Sequence, residues 1–325
     1  MPDINEVREK GIAILGGGIM GTGIGSCALK SGYPVTIREI SDEKCDAARD
    51  AIANGTYGFK AAVGRGIMTQ DEMDQAMSRL VVTTTVEDLP GRGLVIEAIG
   101  GLGGLNQPIE DTGMKLKVWT EIEEVMPNGV VFLSNTSAIT IATLAAATKR
   151  PELFAGFHMF SPATVMKLVE ITRTDATTDD TVNLAVDLAE SWNKVPVVLN
   201  DVPGDRGFVG NRLMGVCRRS ADRLLESGEA KSKEDINDAM VVGCGWPAGI
   251  YQAGARTGWQ GKAKGEKSLA GIPNGELIIK RIYGDMLAEG KVLLETGVAA
   301  SGEDVDACMK HGFRHPKGPF EMASS

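Results

Sequence analysis

The sequence predicts an α/β protein: a doubly wound, mainly parallel sheet at the amino end, then an all-α carboxyl-terminal region made of two related helical units. Three observations carry this expectation. Short apolar runs alternate with helical stretches through the first part of the chain, the pattern of parallel strands joined by crossover helices. The first of those runs enters a glycine-rich turn of fixed spacing. The carboxyl-terminal part has no such strand pattern and repeats itself at a constant shift.

At 325 residues the chain exceeds the usual size of one domain, so more than one is expected. We place the boundaries at 1–203, 204–272 and 273–325. The net charge of −9 argues against a broad nucleic-acid surface, which shows as basic excess. The start, Met1-Pro-Asp-Ile-Asn-Glu6, carries an early acidic group and no basic segment leading into an apolar run. No signal peptide or membrane span is expected, and the setting reads as cytoplasmic. Cys27, Cys45, Cys217, Cys244 and Cys308 contain no Cys-x-x-Cys pair, so neither zinc nor dithiol chemistry is indicated. His311 and His315 are four apart, but Gly312 and Pro316 break the helix that would align them as metal ligands, and a structural role is expected instead.

The first strand reads as Gly11-Ile-Ala-Ile-Leu15, and it runs into Gly16-Gly-Gly-Ile-Met-Gly21, a Gly-x-Gly-x-x-Gly turn. Gly16 permits the tight turn, Gly18 lets a pyrophosphate approach the backbone, and Gly21 lets the following helix pack closely on the strand. Amides at the start of that helix, which runs through Lys30, face the phosphates. A second strand follows at Tyr33-Pro-Val-Thr-Ile37, with Glu39 at 39 − 16 = 23 positions after the first glycine. A carboxylate there accepts from the adenosine ribose hydroxyls and repels a 2′-phosphate, which favours NAD over NADP. Arg38 alongside leaves the phosphate alternative open. Further strands are expected at Leu80-Val-Val-Thr-Thr84, Leu94-Val-Ile-Glu-Ala98 and Val130-Val-Phe-Leu-Ser134. Together these make a Rossmann-type, doubly wound domain.

Downstream lies His158, in Phe157-His-Met-Phe-Ser-Pro162, followed twelve residues later by Glu170. Imidazole is the side chain best suited to exchanging a proton near neutral pH, and a carboxylate beside it orients the ring and stabilises its charged form. A hydrogen-bonded interior histidine is the competing structural reading.

Gly16 to Gly21, Ile96-Glu-Ala98, Ser134-Asn-Thr-Ser137, His158-Met-Phe-Ser-Pro162, Met166-Lys-Leu-Val-Glu170 and Gly207-Phe-Val-Gly-Asn-Arg212 occur in the order found in the L-3-hydroxyacyl-CoA dehydrogenases, which the chain resembles over almost its whole length. The resemblance implies that His158 removes the 3-hydroxyl proton while hydride leaves the same carbon, with Glu170 holding the imidazole. It implies that Ser137 and Asn211 meet the substrate, although each also suits a helix start. It places Ile19, Met20, Glu97, Glu110, Lys115 and Ser161 with the three glycines and Glu39 on the NAD side. Lys60 and Arg65 fall where the family contacts the coenzyme A phosphates, and a solvated helix face accounts for them almost as well. The implied partner is an acyl-CoA.

Ser161 stands where the short, single-function enzymes have asparagine. Together with Thr257-Gly-Trp-Gln-Gly-Lys262, the wording resembles the dehydrogenase portion of peroxisomal-type multifunctional enzymes. Two insertions depart from the family: residues 100–108, glycine-rich and read as a mobile loop, and a shorter one near Asp205-Arg206. Shifting by 293 − 224 = 69 residues lays Leu224-Leu-Glu-Ser-Gly228 on Leu293-Leu-Glu-Thr-Gly297 and pairs Met240, Gly243, Pro247 and Gly249 with Met309, Gly312, Pro316 and Gly318. The second copy is expected to cover the first within one chain, giving a monomer, with a homodimer as the alternative. A dehydrogenase of a free 3-hydroxy acid and a non-catalytic, crystallin-like protein of the same fold are the other readings of function.

Overall fold

The computed structural model describes residues 2–102, 108–202, 208–252 and 268–325. Two compact units divide the chain, Met1–Gly207 and Phe208–Ser325.

The first unit is built on a six-stranded parallel sheet of order β3-β2-β1-β4-β7-β8. Its strands are β1 (Ile12–Leu15), β2 (Val35–Arg38), β3 (Leu80–Thr83), β4 (Leu94–Glu97), β7 (Val131–Ser134) and β8 (Phe154–Gly156). The four residues of β1 are fully buried, as are Leu94, Val95 and Ile96 of β4, so the centre of the sheet reads as unbroken apolar runs covered on both faces. Trp119 meets Phe132 and Phe154 with ring centroids 5.1 and 4.8 Å apart, which seals the β7 and β8 side. β1, β2, β3, β4 and β7 lie within one or two residues of their expected positions, whereas β8 has no counterpart in the sequence reading.

The connecting helices are α2 (Ile19–Lys30), α3 (Asp42–Asn54), α4 (Phe59–Gly64), α5 (Gln70–Ser78), α6 (Thr112–Val125) and α7 (Ile141–Ala145). A short α1 (Ile4–Lys10), capped by the Asp3 carboxylate, precedes the sheet and has no counterpart in the sequence reading. From β1 the chain goes first to β2 on one side and later to β4 on the other. The crevice beyond the carboxyl ends of β1 and β4 is therefore the topological switch point, where ligands of such sheets bind.

A second sheet, of order β11-β10-β9, follows β8 and comprises β9 (His158–Met159), β10 (Leu168–Arg173) and β11 (Val195–Asn200), with α8 (Asp179–Ser191) between the last two. β9 pairs antiparallel with β10, and the register sets His158 opposite Glu170. The sequence reads residues 100–108 as a mobile loop, with no strand in it. The structure instead pairs β5 (Gly101–Leu102) antiparallel with β6 (Pro108–Ile109), because the two flanks can satisfy their backbone groups on each other. Residues 103–107 lie outside the described residues, as do the insertion near Asp205-Arg206 and the Thr257 to Lys262 motif.

The second unit is helical: α9 (Val209–Glu226), α10 (Lys233–Asp238), α11 (Gly275–Glu295), α12 (Gly302–Phe313) and α13 (Pro319–Ala323). Positions 69 apart make the same local bonds. Ser232 and Ser301 each accept at 3.1 Å from the backbone N–H of the aspartate three residues on. The side chains of Asn237 and Asp306 each accept at 2.9 Å from a backbone amide, of Tyr251 and Phe320 respectively. Trp246 and His315, again 315 − 246 = 69 apart, stack on each other with centroids 3.6 Å apart. α9 packs on α11 and α12, while α11 packs on α10 and the π-helical turn Ala239–Gly243 that follows it. Equivalent positions thus meet as they do across a two-fold interface. Among the described residues no helix is long and apolar enough to cross a membrane.

Burial pushes the His315 imidazole down to about 3 from an ordinary 6.5. The folded form holds its proton less tightly than the unfolded chain, so stability is complete above the unfolded value and is lost as pH falls from 6.5 toward 3. Between pH 6.5 and 5 the slope from this group approaches about 1.4 kcal/mol per pH unit. Chemical unfolding at several pH values should show that slope in the parent protein and a flatter one in His315→Phe. Equal slopes would remove His315 as the source.

Candidate active site

The carboxyl edge of the sheet collects the residues singled out from sequence. Gly16 leaves β1 with φ +94°, its N–H donating to the Arg38 carbonyl at 3.0 Å. A Cβ on Gly21 would stand 1.8 Å from the Gly16 carbonyl oxygen, so the turn and the first turn of α2 touch backbone to backbone. Gly18 is different. Its φ of −71° suits any residue, and a Cβ there would have nothing within 4 Å. What Gly18 keeps clear is open space at the start of a twelve-residue helix whose first turn carries no acidic residue, a geometry that a pyrophosphate would fit. Ile19 is exposed and Met20 half-buried beside it. Gly18→Val should therefore leave the melting temperature within about 2 °C while weakening NADH affinity by about tenfold or more, read by fluorescence titration. A loss of folding instead would contradict the open cradle.

Glu39 follows β2 and accepts from the Gly17 N–H at 2.6 Å and from the Ile40 N–H at 3.0 Å. The carboxylate is fixed at the tip of β2 against the glycine turn, with lone pairs left for hydroxyl donors. The Arg38 guanidinium turns away onto Glu121 of α6, at 3.2 and 3.3 Å. A cation already committed to a carboxylate is a poor receptor for a 2′-phosphate, which resolves the ambiguity left by sequence in favour of NAD.

Beneath the crevice lies a buried charge network. Glu97, the last residue of β4, is fully buried and accepts from Ser134 Oγ at 2.6 Å, the Ile99 N–H at 2.6 Å and Lys115 Nζ at 3.0 Å. Lys115 also meets Glu110 at 3.1 Å. Glu110 in turn accepts from the Ser137 N–H and Oγ, both at 2.6 Å, and from Thr136 Oγ1. Burial by itself raises the Glu110 carboxyl, but Lys115, Ser137 and Thr136 outweigh it and hold it below its ordinary value. The structure thus brings Glu97, Glu110, Lys115 and Ser137 together. Thr136 and Ser134 were missed by sequence reasoning, although they stand in the same Ser-Asn-Thr-Ser run.

His158 Nδ1 lies 2.7 Å from Glu170 Oε2, and both side chains are buried. Phe160 lies against the imidazole at a centroid distance of 4.5 Å. With Nδ1 held by the carboxylate, Nε2 is the nitrogen that could exchange a proton with a ligand. A buried His–Glu pair of this geometry can take a proton from an alcohol and hold the resulting positive charge.

The remaining predicted residues lie on other elements. Lys60 and Arg65 are exposed at α4, and Arg65 donates to the Thr56 carbonyl at 3.0 Å. Ser161 is exposed on the turn after β9. Asn211 is exposed in the first turn of α9, in the second unit.

A switch-point crevice with a glycine turn, a carboxylate at the tip of β2 and a buried His–Glu pair is an arrangement that suits an NAD-dependent oxidoreductase. The chain matches the model of the 3-hydroxyacyl-CoA dehydrogenase NAD-binding domain over residues 11–202 and that of the C-terminal domain over 207–271. It is 32% identical over 257 residues to the mitochondrial hydroxyacyl-coenzyme A dehydrogenase of Homo sapiens, covering 76% of each chain. It is 34% identical over 247 residues to the fatty acid oxidation complex subunit alpha of Psychrobacter cryohalolentis, covering 76% of this chain and 31% of that one, so it spans about a third of that relative's length. Among solved structures, FadB2 of M. tuberculosis superposes with a TM-score of 0.68 at 30% identity, covering 92% of this chain and 93% of that one. The chain belongs to the 3-hydroxyacyl-CoA dehydrogenase family, and its cofactor is NAD.

Proposed function

We propose that the protein catalyses the reversible, NAD-dependent oxidation of an L-3-hydroxyacyl-CoA to the 3-oxoacyl-CoA. The single observation that carries this is the 2.7 Å contact between His158 Nδ1 and Glu170 within the NAD-binding unit. In the oxidative direction His158 Nε2 takes the 3-hydroxyl proton as the C3–O bond becomes a carbonyl, and Glu170 stabilises the imidazolium. Bound NAD supplies the hydride acceptor. His158 returns the proton to the 3-oxygen in reduction. Ser137, anchored to Glu110, stands ready to orient the substrate oxygen, and Asn211 and the Lys60 and Arg65 side chains are assigned to the acyl-CoA. Glu97, Lys115 and Ser161 are assigned to the cofactor side. The internal repeat favours a monomer over a homodimer, which sedimentation distinguishes. Five cysteines without a disulfide fit a cytoplasmic setting.

Incubation with acetoacetyl-CoA and NADH should consume NADH, with free acetoacetate a far poorer substrate at equal concentration. Preference for the free acid would select the 3-hydroxy-acid reading, and no turnover with either would select the non-catalytic one.

A further inference from the structure

The imidazole sits on a two-residue strand at the edge of a three-stranded sheet, where, among the described residues, β9 pairs with β10. On its other side runs the end of the large sheet. The β7–β8 ladder reaches Ser134 opposite Gly156, and the Phe157 N–H donates to the Ser134 carbonyl at 2.7 Å. In a parallel ladder the next amide on that side, two residues along, is received by the carbonyl two residues beyond on the neighbouring strand. Here that pair would be the Met159 N–H and the carbonyl of Thr136. β7 has already ended at Ser134, and Thr136 belongs to the turn that feeds Glu110. The Met159 N–H is received instead by the side-chain carbonyl of Asn135, at 2.8 Å.

We infer that Asn135 is a positioning residue for His158: its amide oxygen continues the β7–β8 ladder one step past the end of β7 and fixes the backbone beside the imidazole. The Asn135 N–H donates to the Glu97 carbonyl at 2.8 Å, so its own main chain is tied to the tip of β4. The chain between His158 and Glu170 is also held further along, where the buried Lys194 Nζ donates to the Ala163 carbonyl and to the Met166 carbonyl at 2.8 Å. With both points fixed, the strand cannot slide along β10 and the imidazole keeps its register with Glu170. Only a short side chain with a planar carbonyl reaches Met159 from this position. Serine ends one atom short, whereas aspartate carries an acceptor of the same reach.

The inference rests on His158 being the base, and the turnover of His158→Gln against that of the parent protein with acetoacetyl-CoA tests that separately. For Asn135 itself, Asn135→Ala, Asn135→Ser and Asn135→Asp are compared by steady-state kinetics and NADH titration. Displacing a catalytic group by a fraction of an ångström to an ångström costs roughly 10- to 100-fold. The alanine and serine variants should lose about that factor in kcat, with the acetoacetyl-CoA KM and the NADH Kd within about threefold of the parent. Asn135→Asp should recover kcat to within about fivefold. Should the alanine variant not fold, the serine and aspartate variants decide. Full kcat in Asn135→Ser, an aspartate variant no better than serine, or parallel loss of NADH binding and kcat would each overturn the assignment.

Discussion

Replacing His158 with glutamine is expected to lower kcat for acetoacetyl-CoA reduction by about 10²- to 10⁴-fold, the usual worth of a general acid–base group. The size of the effect follows from what remains. Glutamine can donate to Glu170 through its amide and preserves most of the volume beside Phe160, so the fold and the nucleotide cradle stay intact. It can neither take nor return a proton. NADH affinity, assigned above to the glycine turn and Glu39, should change by less than about twofold. Stopped-flow or steady-state absorbance of the nicotinamide band reads the first quantity, and fluorescence titration the second. A glutamine variant with most of its turnover would place the proton transfer elsewhere.

The largest effect on stability is expected at Lys115. Its ammonium is 2% exposed and stands between two carboxylates, one of them fully buried. Lys115→Met keeps much of the volume but leaves Glu97 and Glu110 facing each other without a cation, and breaking a buried ion pair from one side costs about 3–5 kcal/mol. In a chain of this size that corresponds to a fall of about 10 °C in Tm. The Glu110 carboxyl, now held low by Lys115 and its hydroxyl donors, would rise without the lysine, and Ser137 would lose its fixed acceptor. Adding Glu97→Gln should recover part of the stability, because the amide removes one of the two unpaired charges, and the non-additivity measures their coupling. A single Lys115→Met variant within about 1 kcal/mol of the parent would show that the network is not held by this cation.

Much of the fold was legible because its signals are local. The apolar runs at Ile12–Leu15, Val35–Arg38, Leu94–Glu97 and Val131–Ser134 are buried almost throughout, and together with the half-covered run Leu80–Thr83 they stand clear of the helices between them. β8 was not expected: Phe154–Gly156 is three residues long and merges into the histidine motif. β9 is shorter still, and nothing local marks two residues as a strand when their partner lies twelve positions on. The loop expected at 100–108 was drawn from glycine content, which cannot say whether two flanks will pair with each other.

The site divides the same way. Gly16, Gly21, His158 and Glu170 were readable because their chemistry or backbone geometry is specific to residue type. The roles of Arg38, Ser134 and Asn135 depend on what faces them. Arg38 next to Glu39 leaves a phosphate receptor open as the alternative until Glu121, 83 residues away, is seen to occupy it. Asn135 was passed over as one letter of a motif, since its function lies in where β7 stops and β9 begins. The 69-residue repeat was visible as matched letters, but the stacking of Trp246 on His315 is a fact of packing alone.

One measurement bears most directly on the proton-transfer claim: the crystal structure of the protein with NAD and acetoacetyl-CoA bound together. The account predicts His158 Nε2 within about 3 Å of the 3-oxygen while Nδ1 remains on Glu170. An imidazole turned from the thioester, or a 3-oxygen received only by other groups, would contradict it.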